Sequence, residues 1–336
     1  MCPNCGAPVS GADNFCETCG KPLPHNHFAP QPLVCHCPPG ESLPDEEGFC
    51  QVCGVRCVPP LKSPAPAVAE THHVEESPDS LLAMVSDVGR RHRANEDRGS
   101  VARGRGGSVV MVVADGVSSS LNPEMASETA VRVIREALVS RGDPDGAASA
   151  MRGAIQAAHE KIAAATVPGE AAKAADMDGP ETTVVTVFKH GRRLIVGWVG
   201  DSRAYLIDPG AAPAEELLTT DDSWAEEVVR SGEMTRGEAM ADKRAHYVLQ
   251  VLGMTDAPLD IHILEREVKG SEMLLLCSDG LWNYFQEPGA LARALQEKPG
   301  PALAICNRLI ALANQRGGSD NSTVALFQPE APIDKG

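Results

Sequence analysis

Positive charge is scarce in this sequence. It sets 30 lysines and arginines against 46 aspartates and glutamates, a net charge of -16. A general nucleic-acid surface needs clustered Lys and Arg, so that class of partner is excluded. No apolar run approaches the ~18 residues of a membrane span. The opening MCPNCG lacks the basic-then-apolar pattern of a signal peptide. The expectation is a cytoplasmic protein with no nucleic-acid and no membrane partner. Cysteine is nearly missing from the main body. Beyond residue 57 only Cys277 and Cys306 occur, both in apolar surroundings, where they read as core residues rather than nucleophiles.

What is there begins with the other nine cysteines, all within the first 57 of 336 residues. Cys2-x2-Cys5 and Cys16-x2-Cys19 are each followed by Gly. Two thiolates three residues apart can reach one ion, and four make a closed tetrahedral zinc site. The segment has too few large apolar residues to fold unaided, so zinc would supply folding energy. A less regular second unit offers Cys35, Cys37, Cys50 and Cys53, with His36 or Cys57 as possible substitutes. The expectation is two structural zinc ions in a double zinc-ribbon-like segment over 1–57. Lys21 and Arg56 are its two basic residues against six acids in 1–60, which leaves protein contact or regulation as its role. Residues 58–80, rich in Pro, Ala, Ser and Glu without periodicity, read as a linker. A large domain follows over 81–329, with a short tail at 330–336.

The large domain is organised around Val109–Gly116, VVMVVADG. A short apolar run suits a strand buried on both faces, with Asp115 where it stops. The pattern returns at Met273–Gly280 (MLLLCSDG) and Leu194–Asp201 (LIVGWVGD), and Asp320 opens SDNSTVALF. One Asp-Gly is an ordinary turn. Four acids at the ends of strongly apolar strands are better explained by convergence on a cation, since clustered carboxylates repel. Upstream, Glu96-Asp97 follows a basic cluster of Arg90, Arg91, His92 and Arg93, which reads as an anion site beside a cation site or as a salt-bridged loop. Asn122 and Pro123 predict a helix start, and Ala147–Ala165 predicts a second helix. Thr182–Lys189, Arg193–Val199 and Ala204–Ile207 read as a three-stranded meander. Thr219–Asp242 reads as an acidic, partly helical excursion. Strands and helices come in blocks, so the fold class is α+β with a largely antiparallel sheet.

Together these pieces resemble the metal-dependent protein phosphatases, the type-2C or PPM serine/threonine phosphatases, in their bacterial form. The matching segments are Asn95–Asp97 (NED), Ala114–Gly116 (ADG), Glu181–Val185 (ETTVV), Gly200–Leu206 (GDSRAYL), Ser278–Trp282 (SDGLW) and Ser319–Val324 (SDNSTV). They occur in the family's order. The resemblance covers about 81–329 and leaves the cysteine-rich front outside. It implies a four-layer αββα sandwich of largely antiparallel sheets flanked by helices. It implies that Asp115 bridges two Mn or Mg ions, that Gly116 offers its carbonyl to one, and that Asp279 and Asp320 complete the other. Glu96 and Asp97 would hold water on the metals, and Asp201 would help bind a third, weaker ion. Water activated between the ions would attack phosphorus in line with the seryl or threonyl oxygen, with no protein nucleophile.

Two positions depart from the family pattern. In animal members a His commonly follows the Asp-Gly and acts as general acid; here Val117 and then Ser118 stand there. An Arg often lies five residues before the metal-side Asp to grip phosphate; here that position is His92, between Arg91 and Arg93. An imidazole suits proton transfer near neutral pH, so His92 is a candidate acid or phosphate ligand. The expected function is a protein serine/threonine phosphatase with a zinc-bearing regulatory or protein-binding arm. It would be a monomer, acting on phosphoproteins and opposing a cognate serine/threonine kinase. The alternative is a pseudophosphatase that binds phosphoproteins without hydrolysis; the intact acids weigh against it.

Overall fold

Val109–Ala114 is buried at every position, and the two faces of this strand go to different cores. Val110, Val112 and Ala114 pack under two helices, while Val109, Met111 and Val113 face a second sheet. That is why the run has no polar alternation: a strand with protein on both faces has no solvent side to mark.

The computed structural model describes residues 72–165, 179–208, 211, 214–255 and 257–329. Its strands are β1 His73–Asp79, β2 Leu82–Asp87, β3 Arg98–Arg103, β4 Val109–Ala114, β5 Val184–His190, β6 Arg193–Val199, β7 Arg203–Ile207, β8 Glu215–Leu217, β9 His262–Glu267, β10 Met273–Cys277 and β11 Ser322–Phe327. Its α-helices are α1 Pro123–Val139, α2 Ala147–Ala163, α3 Trp224–Arg230, α4 Arg236–Ala241, α5 Asp279–Trp282, α6 Ala290–Glu297 and α7 Ala302–Gln315. The expected zinc ligands, the linker up to residue 71, residues 166–178 and the tail at 330–336 lie outside the described residues.

The strands form a six-stranded sheet, β1-β2-β11-β10-β7-β8, and a five-stranded sheet, β3-β4-β5-β6-β9. Their pairings are antiparallel. One apolar core lies between the sheets. A second packs α1 and α2 on the five-stranded sheet. A third packs α5, α6 and α7 on the six-stranded sheet. The order is helix, sheet, sheet, helix, as the resemblance implied. Cys277 and Cys306 are free and buried in the third core.

The structure differs from the sequence reading in three places. His73–Asp79, placed in the linker, is an edge strand. Apart from Val74 and Pro78 its residues are polar and it buries none of them, so it carries no apolar alternation, and Pro78 is tolerated because an edge strand has a free side. It is held instead by polar ties. Glu76 accepts from Ser100 Oγ at 2.7 Å and from the Val101 amide at 3.0 Å, Arg103 Nε donates to Asp79 at 2.7 Å, and His73 Nδ1 meets Asp87 at 2.7 Å. The Val101 bond caps the edge of the opposite sheet. Second, the expected meander breaks: β5 and β6 pair, but β7 crosses to the other sheet beside β10. Gly200 makes the crossing at φ +98°, a left-handed conformation that a residue with a Cβ adopts at a cost. Third, Asn122 does not cap α1 through its side chain. It is left-handed at φ 52°, as Asn tolerates, and its carbonyl receives the Met125 and Ala126 amides. Pro123 is the first helical residue, as expected.

Candidate active site

The topology puts five strand termini at one end of the sandwich. β4 ends at Asp115 and β6 at Gly200-Asp201, while β3 begins after Glu96-Asp97; all three strands belong to the five-stranded sheet. β10 ends before Asp279 and β11 begins after Asp320, both in the six-stranded sheet. Antiparallel pairing of β3 with β4 and of β10 with β11 makes these ends coincide.

Backbone contacts lock the acids in place. The Asp115 carbonyl accepts from the Thr183 amide and the Thr182 hydroxyl, each at 2.8 Å. The Val117 amide donates to Glu181 O at 3.0 Å. Asn321 Oδ1 receives the Glu96 amide at 2.8 Å, and its Nδ2 donates to Val88 O at 2.9 Å and Ala94 O at 3.1 Å. Gly280 is required by close approach: a Cβ there would lie 1.8 Å from the Asn321 carbonyl oxygen. The segments SDG and SDN are thereby packed backbone to backbone, which brings Asp279 and Asp320 together.

The electrostatics are those of acids crowded with little counter-charge: Arg203 acts on Asp201 and His92 on Glu96. Burial raises the Asp115 pKa well above the carboxylate range, and Asp97, Asp279, Asp201 and Asp320 push it further. Burial also raises Asp97 to about 7 and Asp279 to about 6, with Asp320 adding to both. Asp201 is raised by burial, then by Asp279 and Asp221. Asp115 and Asp279 act on one another within the cluster. Ser278 Oγ donates to Asp97 Oδ2 at 2.7 Å, but Asp97 Oδ1 is buried without a partner. Among the described residues no three His, Cys, Asp or Glu side chains already form a closed metal cage. The oxygen-only donor set, its mutual repulsion and the orphaned Asp97 oxygen nevertheless fit hard divalent cations.

The remaining candidates sit around this cluster. Glu96, raised mainly by burial, accepts a short hydrogen bond from Ser118 Oγ. His92 is half-buried, with Nε2 3.4 Å from Asp320 Oδ1. Arg91 and Arg93, on either side of it, are exposed and are not drawn into the cluster. Gly116 is buried next to Asp115 and bridges Thr182. Beside Asp201 lies a cavity of about 410 Å³, lined in part by Arg203, Arg236, His246 and Trp282. Arg203 grips Asp221 with two bonds of 3.0 and 2.7 Å and stacks 3.6 Å from the Trp282 ring centre. That ties the excursion carrying α3 and α4 to the acid end of the sheet. A cavity of about 530 Å³ on the far side of α3 does not include the clustered acids, and its Asp222, Gln250 and His262 satisfy one another.

Sequence reading missed Ser278, Thr182, Thr183 and Asn321 as supports. All four lie inside the quoted motifs, but spacing alone does not reveal which backbone they hold.

A protein phosphatase 2C family model matches residues 88–299. The chain belongs to the protein phosphatase 2C family. It is an enzyme of the serine/threonine phosphatase class. The serine/threonine phosphatase stp of Listeria monocytogenes is 30% identical over 251 residues, covering 72% of this chain and 93% of that one. The serine/threonine protein phosphatase PstP of Mycobacterium tuberculosis is 30% identical over 242 residues, 70% of this chain and 44% of that one. Among solved structures, the S. agalactiae serine/threonine phosphatase superposes with a TM-score of 0.64 at 28% identity, covering 76% of this chain and 100% of that one. A zinc-ribbon domain model matches residues 1–23, the span of Cys2, Cys5, Cys16 and Cys19.

Proposed function

We propose that this phosphatase hydrolyses phosphoserine and phosphothreonine in proteins, with Mn2+ or Mg2+ held by Asp115, Gly116, Asp279 and Asp320. Glu96 and Asp97 stand behind that set, and Asp201 serves a further ion. The observation that carries the reading is the gathering of carboxylates from the ends of both sheets, Asp97 and Asp201 buried and Asp115, Asp279 and Asp320 partly exposed, with no basic group among those acting most strongly on Asp115. When bound, such ions supply Lewis acidity, which makes a nucleophile from water at neutral pH and offsets phosphoryl charge.

The chain's own groups do the rest. Asp115 bears on the whole cluster, because Asp97, Asp201, Asp279 and Asp320 all act on it. Ser278 keeps one Asp97 oxygen occupied and leaves the other without a hydrogen-bond partner. Val117 carries no proton, so His92 Nε2, beside Asp320, delivers one to the departing seryl or threonyl oxygen or contacts the phosphate. Arg91 and Arg93 line the approach to that phosphate.

The N-terminal segment is proposed to hold two zinc ions, through Cys2, Cys5, Cys16 and Cys19 and through Cys35, Cys37, Cys50 and Cys53. As a separate arm joined through a linker, it would regulate the enzyme or bind a protein. The whole is proposed to act as a cytoplasmic monomer opposite a serine/threonine kinase. The deciding assay follows p-nitrophenyl phosphate and a phosphothreonine peptide with Mn2+ and then with excess chelator. Hydrolysis of both, abolished by chelator and restored by Mn2+, is expected. Hydrolysis that persists in chelator contradicts the metal reading, and hydrolysis of neither contradicts the activity.

A further inference from the structure

Half of the arginines among the described residues are engaged by acids. Arg98 meets Glu124, Arg103 meets Asp79, Arg203 meets Asp221, Arg236 meets Glu226 and Arg266 meets Glu216. In a chain carrying 46 acids against 30 lysines and arginines, that is the expected fate of a guanidinium. Arg90, Arg91 and Arg93 are not so engaged, and they crowd within four consecutive positions. All three are exposed, and among the described residues none of them makes an ion pair.

Their loop is not a loose surface turn. The Gly89 amide donates to Asp87 Oδ1 at 2.9 Å and the Arg90 amide to Gly318 O at 2.8 Å. Asn321 holds the carbonyls of Val88 and Ala94, at 2.9 and 3.1 Å, and so fixes both ends. Asn321 adjoins Asp320, and His92, in the middle of the loop, reaches Asp320 at 3.4 Å. The imidazole turns towards the acid cluster while its neighbours Arg91 and Arg93 face solvent. Three permanent cations are thus presented from a braced loop at the edge of the candidate active site.

We propose that Arg90, Arg91 and Arg93 form a docking rim for acidic side chains next to the phosphorylated residue, so that the preferred substrates are phosphoserine and phosphothreonine flanked by Asp or Glu. This rests on the phosphatase reading and adds the substrate class. Consecutive residues of an extended peptide advance about 3.3–3.6 Å. A phosphoresidue bound near Asp320 therefore sets its neighbours, one to three positions away, alongside these guanidinium groups. The acidic remainder of the protein repels such a peptide, so the rim also sets its orientation. Repulsion elsewhere and attraction here together make specificity. Exposed pairs of this kind are screened within about 8–10 Å at physiological salt, so the preference falls as ionic strength rises.

The test compares kcat/KM of the full-length protein on three phosphothreonine peptides that differ only in flanking residues: Glu, Ala or Lys. p-Nitrophenyl phosphate, which has no flanks, serves as the control for the phosphatase reading. Expected is a Glu-over-Ala ratio of roughly ten at low salt, shrinking with added NaCl. The ratio falls to about one in an Arg90→Ala, Arg91→Ala, Arg93→Ala triple variant and inverts in favour of the Lys peptide when Arg91 and Arg93 are changed to Glu. The readout is the ratio within each variant, so a change in overall rate does not disturb it. A ratio near one in the unaltered protein, or a ratio unchanged in the triple variant, overturns the docking rim. Absence of metal-dependent turnover of p-nitrophenyl phosphate by the unaltered protein overturns the phosphatase reading beneath it.

Discussion

His92 is the residue whose place in the structure most changes what can be asked of it. Its Nε2 lies 3.4 Å from Asp320 Oδ1, while Val117, next to Gly116, has nothing to donate. If His92 protonates the leaving oxygen, His92→Ala slows a phosphothreonine peptide about 100-fold or more, the scale of a lost general acid. It slows p-nitrophenyl phosphate far less, because p-nitrophenolate departs without a proton. Equal slowing of both substrates assigns His92 to phosphate contact, and no slowing of either removes it from the site. Asp115, Asp201, Asp279 and Asp320 were legible in the sequence because each ends or opens a strongly apolar strand. Their supports were not. Ser278 reaches Asp97 and Asn321 reaches Glu96 from 181 and 225 residues away in the chain, and no local pattern encodes such pairings.

At the scale of elements, strands with apolar runs were readable and strands held by polar ties were not. β4, β6, β10 and β11 announce themselves by burial on both faces. β1 does not, since Glu76 and Asp79 hold it through Ser100, Val101 and Arg103 rather than through apolar packing. β7 was readable as a strand but not as a member of the other sheet, because a Gly-Asp turn looks the same whichever way the chain leaves it. Two predictions belong here. A truncated chain beginning at Ser80 loses β1 and unfolds at a lower temperature than one beginning at Ala69; equal midpoints would make β1 dispensable. Gly280→Ala forces a Cβ towards the Asn321 carbonyl. Overpacking of this kind costs about 1–3 kcal/mol, and here it also parts Asp279 from Asp320. Denaturant titration should therefore give a lower midpoint together with a fall in turnover, and retention of both would show that the two segments can separate freely.

For the whole molecule, the acid cluster makes stability depend jointly on pH and metal. Asp97 and Asp279 rise from an ordinary 3.8 to about 7 and about 6, mainly through burial. A carboxyl raised on folding binds its proton more tightly in the folded state. Its stabilising contribution is complete below about pH 4 and is lost as pH climbs through 6 to 7. Metal-free protein should thus have a lower Tm at pH 8 than at pH 5. A divalent ion needs the ionised form, so Mg2+ or Mn2+ should raise Tm more at pH 8 than at pH 5. A metal-induced rise that is the same at both pH values would mean that the ion binds elsewhere. The cysteine-rich front makes an independent prediction: elemental analysis of the full chain should find two zinc ions, one of them lost when Cys2 and Cys5 are replaced by Ser. Finding none would refute the ribbon assignment.

The central claim is that carboxylates gathered from both sheets hold the ions that do the chemistry, with Asp115 at their centre. Its most direct test is Mn2+-dependent phosphate release from a phosphothreonine peptide by Asp115→Asn beside the unaltered protein. Asparagine keeps the size and removes the charge. The account predicts turnover reduced at least about 1000-fold, the scale of a lost electrostatic centre, at every Mn2+ concentration that saturates the unaltered enzyme. Near-normal turnover in Asp115→Asn would contradict it.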